Sequence, residues 1–386
     1  MARLPPGQMA GMILADLGAD VLRIEEPAAA RPEIEVRLRG LDRAHPAYAL
    51  NRGKRSVTLD LKREGGLRVC YRLAERADVF LEAYRPGVMD RLGLSYETLA
   101  ATNPRLVYAS LSGYGQTGPF RDLPGHDLNY IALAGMASLT AHPDGRPVVP
   151  GSLMADFAGG SLHTALAILA ALLARERSGR GQHLDLAMTD GVMLLIAPQI
   201  ARYQISGVLS EPGTDALNGG APYYNVYETA DGKYLSVGAL EPQFWANLCR
   251  ALGQEDLIPL QYASGLERDQ VFARLREIFR QRNRDAWMDF LRDKNTCVAP
   301  VLGLDELARH PQIAARQMLL PVAAGPPEGT GDTALQIGAS LKLSETAPAP
   351  GGPPPKSGRD TEAVLRELGL TEEEIHELRR SGAIGG

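Results

Sequence analysis

The feature that most constrains this chain is a repeated change of hydrophobic period through its first half. "GQMAGMILADLGA" places apolar residues at helical spacing, and "DVLRIEEP" follows as a short strand closed by proline. "SVTLDLK" reads as a strand, "EGGLRVCYRLAERA" as a helix and "DVFLEAY" as a strand. "YETLAATNP" then reads as a helix and "RLVYASLSGYG" as a buried strand. Elements alternating at this length predict a doubly wound α/β domain with a mostly parallel sheet, because parallel neighbours need a crossover between them. "GGSLHTALAILAALLARERSGRG" predicts a buried helix ended by a glycine-rich turn, and "QHLDLAM" a further strand.

Near residue 210 the texture changes. "NGGAPYYNVYETADGKYLSVGALEPQFWANLCRALG" reads as a loop, a hairpin turning at Asp231-Gly232, and a helix. The expected division is a large α/β domain over 1–200, a linker over 201–225 and a smaller α+β domain over 226–310. Residues 311–386 then form a linker and a return to the large domain. Within them, 322–356 are rich in proline and glycine and read as an extended connector, while Thr371 and Glu374 fit a capping box for the last helix.

Composition narrows the partners. A net charge of −5 on 386 residues gives no general attraction for nucleic acid or an anionic membrane, so an anionic ligand has to be met locally. Cys70, Cys249 and Cys297 form neither a C-x-x-C motif nor a cysteine–histidine cluster; buried free thiols are expected, with no metal site. The apolar run around "TALAILAALLARERSG" reads as interrupted too soon to span a bilayer, so a soluble, cytoplasmic protein is expected.

Three stretches concentrate polar residues in apolar or glycine-rich surroundings: "GHDLNY" with His126 and Asp127, "GSLMADFAGGS" with Asp156, and "GALEPQF" with Glu241. Each has an ordinary explanation. His126 suits a hydrogen-bonded structural role, Asp156 a helix cap, and Glu241 a helix N-terminal carboxylate. Together they suit one chemistry. Inverting a carbon beside a carbonyl needs a base on one face and a second acid/base on the other. The developing enolate also needs backbone N–H donors, which a glycine-flanked helix start offers. Spacing alone does not bring the three together.

The chain resembles the family III CoA-transferase superfamily, in particular its racemase members, over nearly its whole length. The resemblance rests on "ILADLGADVLRIE", "NRGKRSVTLDLK", "YRPGVMDRLGL", "NPRLVYASLSGYGQTGP", "GHDLNY", "ADFAGG", "NGGAPYYNVYETADGKYLSVGALEPQF", "CVAPVL" and the "TEEEI" helix. It implies a large Rossmann-like domain plus a smaller α+β domain, in an interlocked homodimer. It implies His126 and Asp156 as the acid/base pair, Glu241 orienting the histidine from the partner subunit, Asp127 at the enolate-stabilising position and Tyr224 lining the pocket. The implied reaction is inversion of the α-carbon of a 2-methyl-branched acyl-CoA thioester, with no cofactor, since CoA belongs to the substrate. The alternatives are a CoA-transferase using Asp156 as nucleophile, and a non-catalytic CoA-binding protein.

Three departures from the family pattern stand out. The strand that usually precedes the proline–glycine segment has no counterpart. An arginine that usually follows "RIE" is Glu26, and an asparagine four residues before the aspartate is Ser152. The basic segment Arg37–Arg55 is expected to replace the missing phosphate contact, chiefly through Arg52, Lys54 and Arg55. Arg91 matches a CoA-binding arginine, and Tyr84 is counted with the substrate-binding residues.

Overall fold

The computed structural model describes residues 1, 4–27, 45, 47–141, 145–323 and 333–385, so the basic stretch 37–44 lies outside the described residues. The chain divides into two compact units. The first comprises Met1–Ala134, Pro150–Leu195 and Pro311–Gly386; the second comprises Gly135–Val149 and Ile196–His310.

In the first unit, helix α1 (Pro5–Asp16) opens with prolines at positions whose N–H groups need no helical acceptor. Strand β1 (Val21–Glu25) pairs in parallel with β2 (Lys54–Thr58), Val21 opposite Lys54. Helix α2 (Glu64–Arg76) leads to β3 (Val79–Glu82), which is parallel to β4 (Val107–Ser112), itself parallel to β5 (His183–Ala187). Every residue of β4 is buried, which is why its sequence runs without polar alternation. The pairing is parallel as expected, but among the described residues the strands form two sheets, β1–β2 and β3–β4–β5. Val57, Leu59, Phe80 and Tyr108 share one core with Val364, Leu365 and Leu378, so both ends of the chain build it.

The short α3 (Val88–Arg91) and α4 (Tyr96–Thr102) lie between β3 and β4, and α5 (Asp127–Leu133) follows β4. A π-helical turn, Ala155–Leu162, runs into α6 (His163–Ser178), and α7 (Met188–Leu195) follows β5. Two expectations need correction here. The helix through 155–178 is 24 residues long and holds an 18-residue stretch with a mean hydropathy of 1.8, enough by length and composition to cross a membrane. Arg175 does not interrupt it, because its guanidinium is buried and donates to Asp78 Oδ1 at 2.8 Å. Ala165, Ile168 and Ala171 are buried in the unit, whereas Leu162, Leu166 and Leu173 are exposed. The supposed connector 322–356 contributes strand β10 (Thr333–Ile337), antiparallel to β9 (Leu319–Ala323). A two-stranded ribbon tolerates Pro321 because a proline needs no ladder donor at an edge.

The second unit holds α8 (Ala197–Ser206) and the hairpin β6 (Tyr224–Glu228) and β7 (Tyr234–Gly238), with β8 (Val298–Pro300) antiparallel to β7. The turn falls at Asp231-Gly232; Gly232 takes φ +70°, a conformation glycine adopts without steric cost. Trp245, Tyr227, Phe279 and Trp287 fill the core below, and each buried polar tip is satisfied. Trp245 Nε1 donates to the Leu257 carbonyl at 3.0 Å, Trp287 Nε1 to Phe279 at 2.8 Å and Tyr227 Oη to Pro222 at 2.6 Å. Back in the first unit, α10 (Thr361–Glu367) and α11 (Glu372–Arg380) close the chain. The capping box is present: Thr371 Oγ1 accepts from Glu374, and the Thr371 N–H donates to Glu374 Oε2 at 2.8 Å. Cys70 and Cys249 are buried, but Cys297 is exposed, correcting the expectation of three buried thiols.

Candidate active site

His126 is the residue before α5, held there by an exchange of bonds with Asn129. Its N–H donates to Asn129 Oδ1 at 3.0 Å, and its carbonyl accepts the Asn129 N–H at 2.8 Å. The residue itself is exposed, so its ring is reachable from solvent. The next residue, Asp127, is buried, and its Oδ1 accepts the backbone N–H of Asp156 at 2.8 Å. One short bond thus ties the "GHDLNY" segment to the "ADFAGG" segment, 29 residues later.

Asp156 does not cap a helix. Met154 before it already has helical backbone, and Asp156 is the second residue of the π-turn, a conformation frequent at functional sites. Ser161 is fully buried, with Oγ 2.9 Å from the Asp156 carbonyl and 2.7 Å from that of Pro6. Glycine makes the turn possible through close packing. A Cβ on Gly159 would lie 2.7 Å from the Met188 carbonyl, and one on Gly191 would lie 2.1 Å from the Gly159 carbonyl. The backbones of the π-turn and α7 therefore touch, and side chains at these positions would push them apart.

Tyr130 braces the same corner. Its hydroxyl donates to the Gly125 carbonyl at 2.5 Å, and its ring passes where a Cβ on Gly113 would lie, 2.2 Å away. Burial pushes its hydroxyl up to about 12, with Tyr114 and the negative charges of Asp156 and Asp127 adding and Arg85 opposing. At neutral pH it remains a donor.

In the second unit, Tyr224 opens β6 opposite Gly238, and Glu241 stands three residues beyond Gly238, at the position before helix α9 (Pro242–Ala251). Both are exposed; the Glu241 carbonyl accepts the Phe244 N–H at 3.0 Å. Cys297 belongs to this corner too: its carbonyl accepts the Gly238 N–H at 2.9 Å. Its thiol is raised, first by burial and then by the charge of Glu241. No pattern in the sequence pointed to that neighbour.

The predicted phosphate contacts fare differently. Arg52 is wholly buried and cannot meet a CoA phosphate, which corrects that expectation. Its Nε and one terminal nitrogen donate to Asp16 at 3.0 and 2.6 Å, and the other terminal nitrogen donates to Gln336 and the Ile337 carbonyl. Lys54 is buried as well, donating to the Gln8 and Leu50 carbonyls at 2.7 Å each. Burial lowers its amine to about 7, with Arg23 adding. It too is taken into the packing. Arg55 is at the surface but bound to Asp20 and Glu367, which hold it firmly protonated. Arg91, the last residue of α3, is exposed. Tyr84 packs on the edge of the core, its N–H donating to Glu82 Oε2 at 2.8 Å.

Sequence reasoning missed one polar cavity of about 170 Å³ in the first unit, lined among others by Glu82, Arg85, Ser110, Gln116 and His183. Ser110 Oγ lies 3.0 Å from His183 Nε2, and His183 stacks on Tyr96 at 5.5 Å. These residues come from three strands and two loops, so no local motif marks them.

Comparison with known proteins fits this architecture. The model of CoA-transferase family III matches residues 1–361. The chain is 38% identical to alpha-methylacyl-CoA racemase of Mus musculus over 98% of its own length and 93% of the relative's. It is 32% identical to the succinyl-CoA–L-malate CoA-transferase beta subunit of Chloroflexus aurantiacus, covering 96% of this chain and 93% of that one. A crystal structure of a CaiB/BaiF family protein from Brucella suis superposes with a TM-score of 0.80 at 29% identity, over 95% of this chain and 97% of that one. With strands β1 to β10 and the segments bearing His126 and Asp156 inside the matched region, the chain belongs to CoA-transferase family III.

Proposed function

We propose that the protein is a racemase that inverts the α-carbon of 2-methyl-branched acyl-CoA thioesters. The observation that carries this reading is the Asp127–Asp156 bond, which fixes a histidine-bearing helix start against an aspartate-bearing π-turn. The 38% identity to a racemase over nearly the whole chain supports the same reading.

In this mechanism His126 or Asp156, according to the epimer bound, removes the α-proton. The C–H electron pair moves into the thioester, forming an enolate. The N–H groups of Asp127 and Leu128, the first two of α5, precede the first helical acceptor and stabilise the enolate oxygen. The opposite residue, in its acid form, returns a proton to the other face of the carbon. A partner subunit's Glu241 orients His126, and Tyr224 lines the acyl pocket. Arg91 is the cation in reach of the CoA phosphates. No redox group or metal enters, and CoA arrives as part of the substrate.

The assembly is proposed as a homodimer of interlocked chains, each with a Rossmann-like large domain. The exposed Leu162, Leu166 and Leu173 of one helix, and Leu194 of α7 in the same unit, support this: exposed apolar side chains of that kind are normally covered. A cytoplasmic setting completes the proposal.

The test is incubation of one epimer of a 2-methylacyl-CoA in deuterated water with no added acid. Deuterium at the α-carbon with loss of stereochemical purity is expected. Acyl transfer only on adding a free carboxylic acid, with an intermediate trapped by hydroxylamine, would instead make Asp156 a nucleophile. CoA binding without either reaction would leave a non-catalytic binding protein.

A further inference from the structure

Glu241 is exposed, so close packing does not fix its side chain, and its direction depends on how the backbone before it is held. That backbone is an irregular turn from Gly238 to Glu241, between β7 and α9. The Gly238 N–H donates to the Cys297 carbonyl at 2.9 Å, and the Gly238 carbonyl accepts the Leu240 N–H at 2.9 Å. The Glu241 carbonyl accepts the N–H groups of Phe244 and Trp245 at 3.0 and 3.2 Å. A single side chain meets the two carbonyls between. Gln261 Nε2 donates to Leu240 at 2.9 Å and to Ala239 at 3.4 Å, from 21 and 22 residues along the chain.

Gln261 is only 5% exposed, an uncommon place for a glutamine, and a buried amide is costly unless it is bonded. Its own position is fixed on two sides. It follows the 3₁₀ turn Glu255–Leu260, whose Leu257 carbonyl accepts the indole N–H of Trp245 in α9 at 3.0 Å. The next residue, Tyr262, meets the ring of Tyr223 edge-on at 5.8 Å, and Tyr223 adjoins Tyr224. Opposite, Cys297 presents its carbonyl to Gly238 from a left-handed backbone, φ +52°, a conformation that persists in a non-glycine residue only where the surroundings impose it. Both proposed site residues of the second unit thus refer to one short segment, Gln261–Tyr262.

We propose that Gln261 is a positioning residue for the racemisation, acting through Glu241. The inference rests on the proposed function, in which Glu241 orients His126. Gln261 acts at one remove. Its amide fixes the Leu240 carbonyl, which lies in the same rigid peptide plane as the Glu241 nitrogen. That plane sets where the Glu241 side chain leaves the backbone, and the carboxylate sets the imidazole. A carboxylate beside an imidazole also favours its charged form, so a displaced Glu241 shifts the histidine limb of the pH profile to lower pH.

The test is deuterium exchange at the α-carbon of a 2-methylacyl-CoA by the full chain, read against pH. It compares wild type, Gln261→Met, Glu241→Gln and the double variant. Gln261→Met keeps the side chain's length and removes its N–H donors. It is expected to lower exchange by about fivefold, the scale of one hydrogen bond, and to move the histidine limb to lower pH as Glu241→Gln does. Added to Glu241→Gln, it should cost less than about twofold more, because no carboxylate is left to place. Gln261→Asn, whose amide is one methylene short, is a gentler change should the first variant not fold, and it should shift the limb the same way. Undiminished exchange in both Gln261 variants overturns the proposal. A loss of exchange with the limb unmoved, or a full fivefold loss on top of Glu241→Gln, makes Gln261 merely structural and overturns it too. Failure of the underlying reading looks different: wild type gives no exchange, or Glu241→Gln exchanges as fast as wild type, and the proposal falls with it.

Discussion

In the first unit, candidate site residues are set by backbone. Asp127 accepts the Asp156 N–H, Ser161 contacts the Asp156 carbonyl, and Gly159 and Gly191 let two helices touch. In the second, Glu241 and Tyr224 are exposed at the ends of a helix and a strand, and below them lies an aromatic core in which the polar tips of Tyr227, Trp245 and Trp287 are bonded. The first arrangement fixes positions at the expense of packing freedom. The second separates the two tasks, a closed core for stability and surface residues for chemistry. Substitutions in the first unit should therefore couple activity to stability, while in the second, Gln261 apart, they should act on one or the other.

The largest effects should come from the acid/base pair. His126→Ala and Asp156→Ala are each expected to lower α-proton exchange by about 10³-fold, the scale of general acid–base catalysis, with far-UV circular dichroism unchanged. Retention of full exchange in both would remove the first unit from the chemistry. Next in size, Trp245→Ala should destabilise the second unit by about 3–5 kcal/mol in urea unfolding, through the cavity that the lost indole leaves. Gly191→Ala tests the other half of the comparison. Its new Cβ meets the Gly159 carbonyl, so a cost of about 1–3 kcal/mol and a loss of exchange activity should appear together. A loss of stability with activity intact would break the proposed coupling.

A smaller effect is expected at Glu241. Glu241→Gln should lower exchange by about tenfold and move its pH profile, since the residue positions the histidine and does not touch the carbon. The gentlest difference is in pH dependence. The Met1 amine titrates near 6 when folded against 8.0 ordinarily, and Lys54 near 7 against 10.5. Between those values the unfolded chain binds more protons, so stability of the first unit should rise with pH from about 6 to 10. In the second unit Glu306 is held well below the ordinary carboxylate range by Arg284 and then Lys233. Its stabilising contribution is present at neutral pH and lost as the pH falls through that lowered value. Fluorescence of Trp245 and Trp287, both in the second unit, against global circular dichroism would separate the two trends.

Much of this was legible locally. Hydrophobic period gave the alternation of strands and helices, and "TEEE" gave the cap of α11, because both are settled within a few residues. The connector 322–356 was misread because composition hid "TALQI", which becomes a strand only by pairing with "LLPVA". Arg52 was misread for a related reason. An arginine in a basic segment looks available until folding brings Asp16, 36 residues away, against its guanidinium.

The sequence by itself determined the class of fold, its parallel strand pairs, the hairpin and the residue types able to move a proton. Those follow from side-chain period, turn chemistry and functional groups, which are local properties. Only the tertiary structure decided that Asp127 holds the Asp156 backbone, that Arg52 and Lys54 serve the packing, and that Gln261 reaches the Leu240 carbonyl. Those outcomes depend on burial and on contacts between distant segments. Desolvation gives a buried charge or amide its need for a partner, and only the closed fold determines which partner lies within reach.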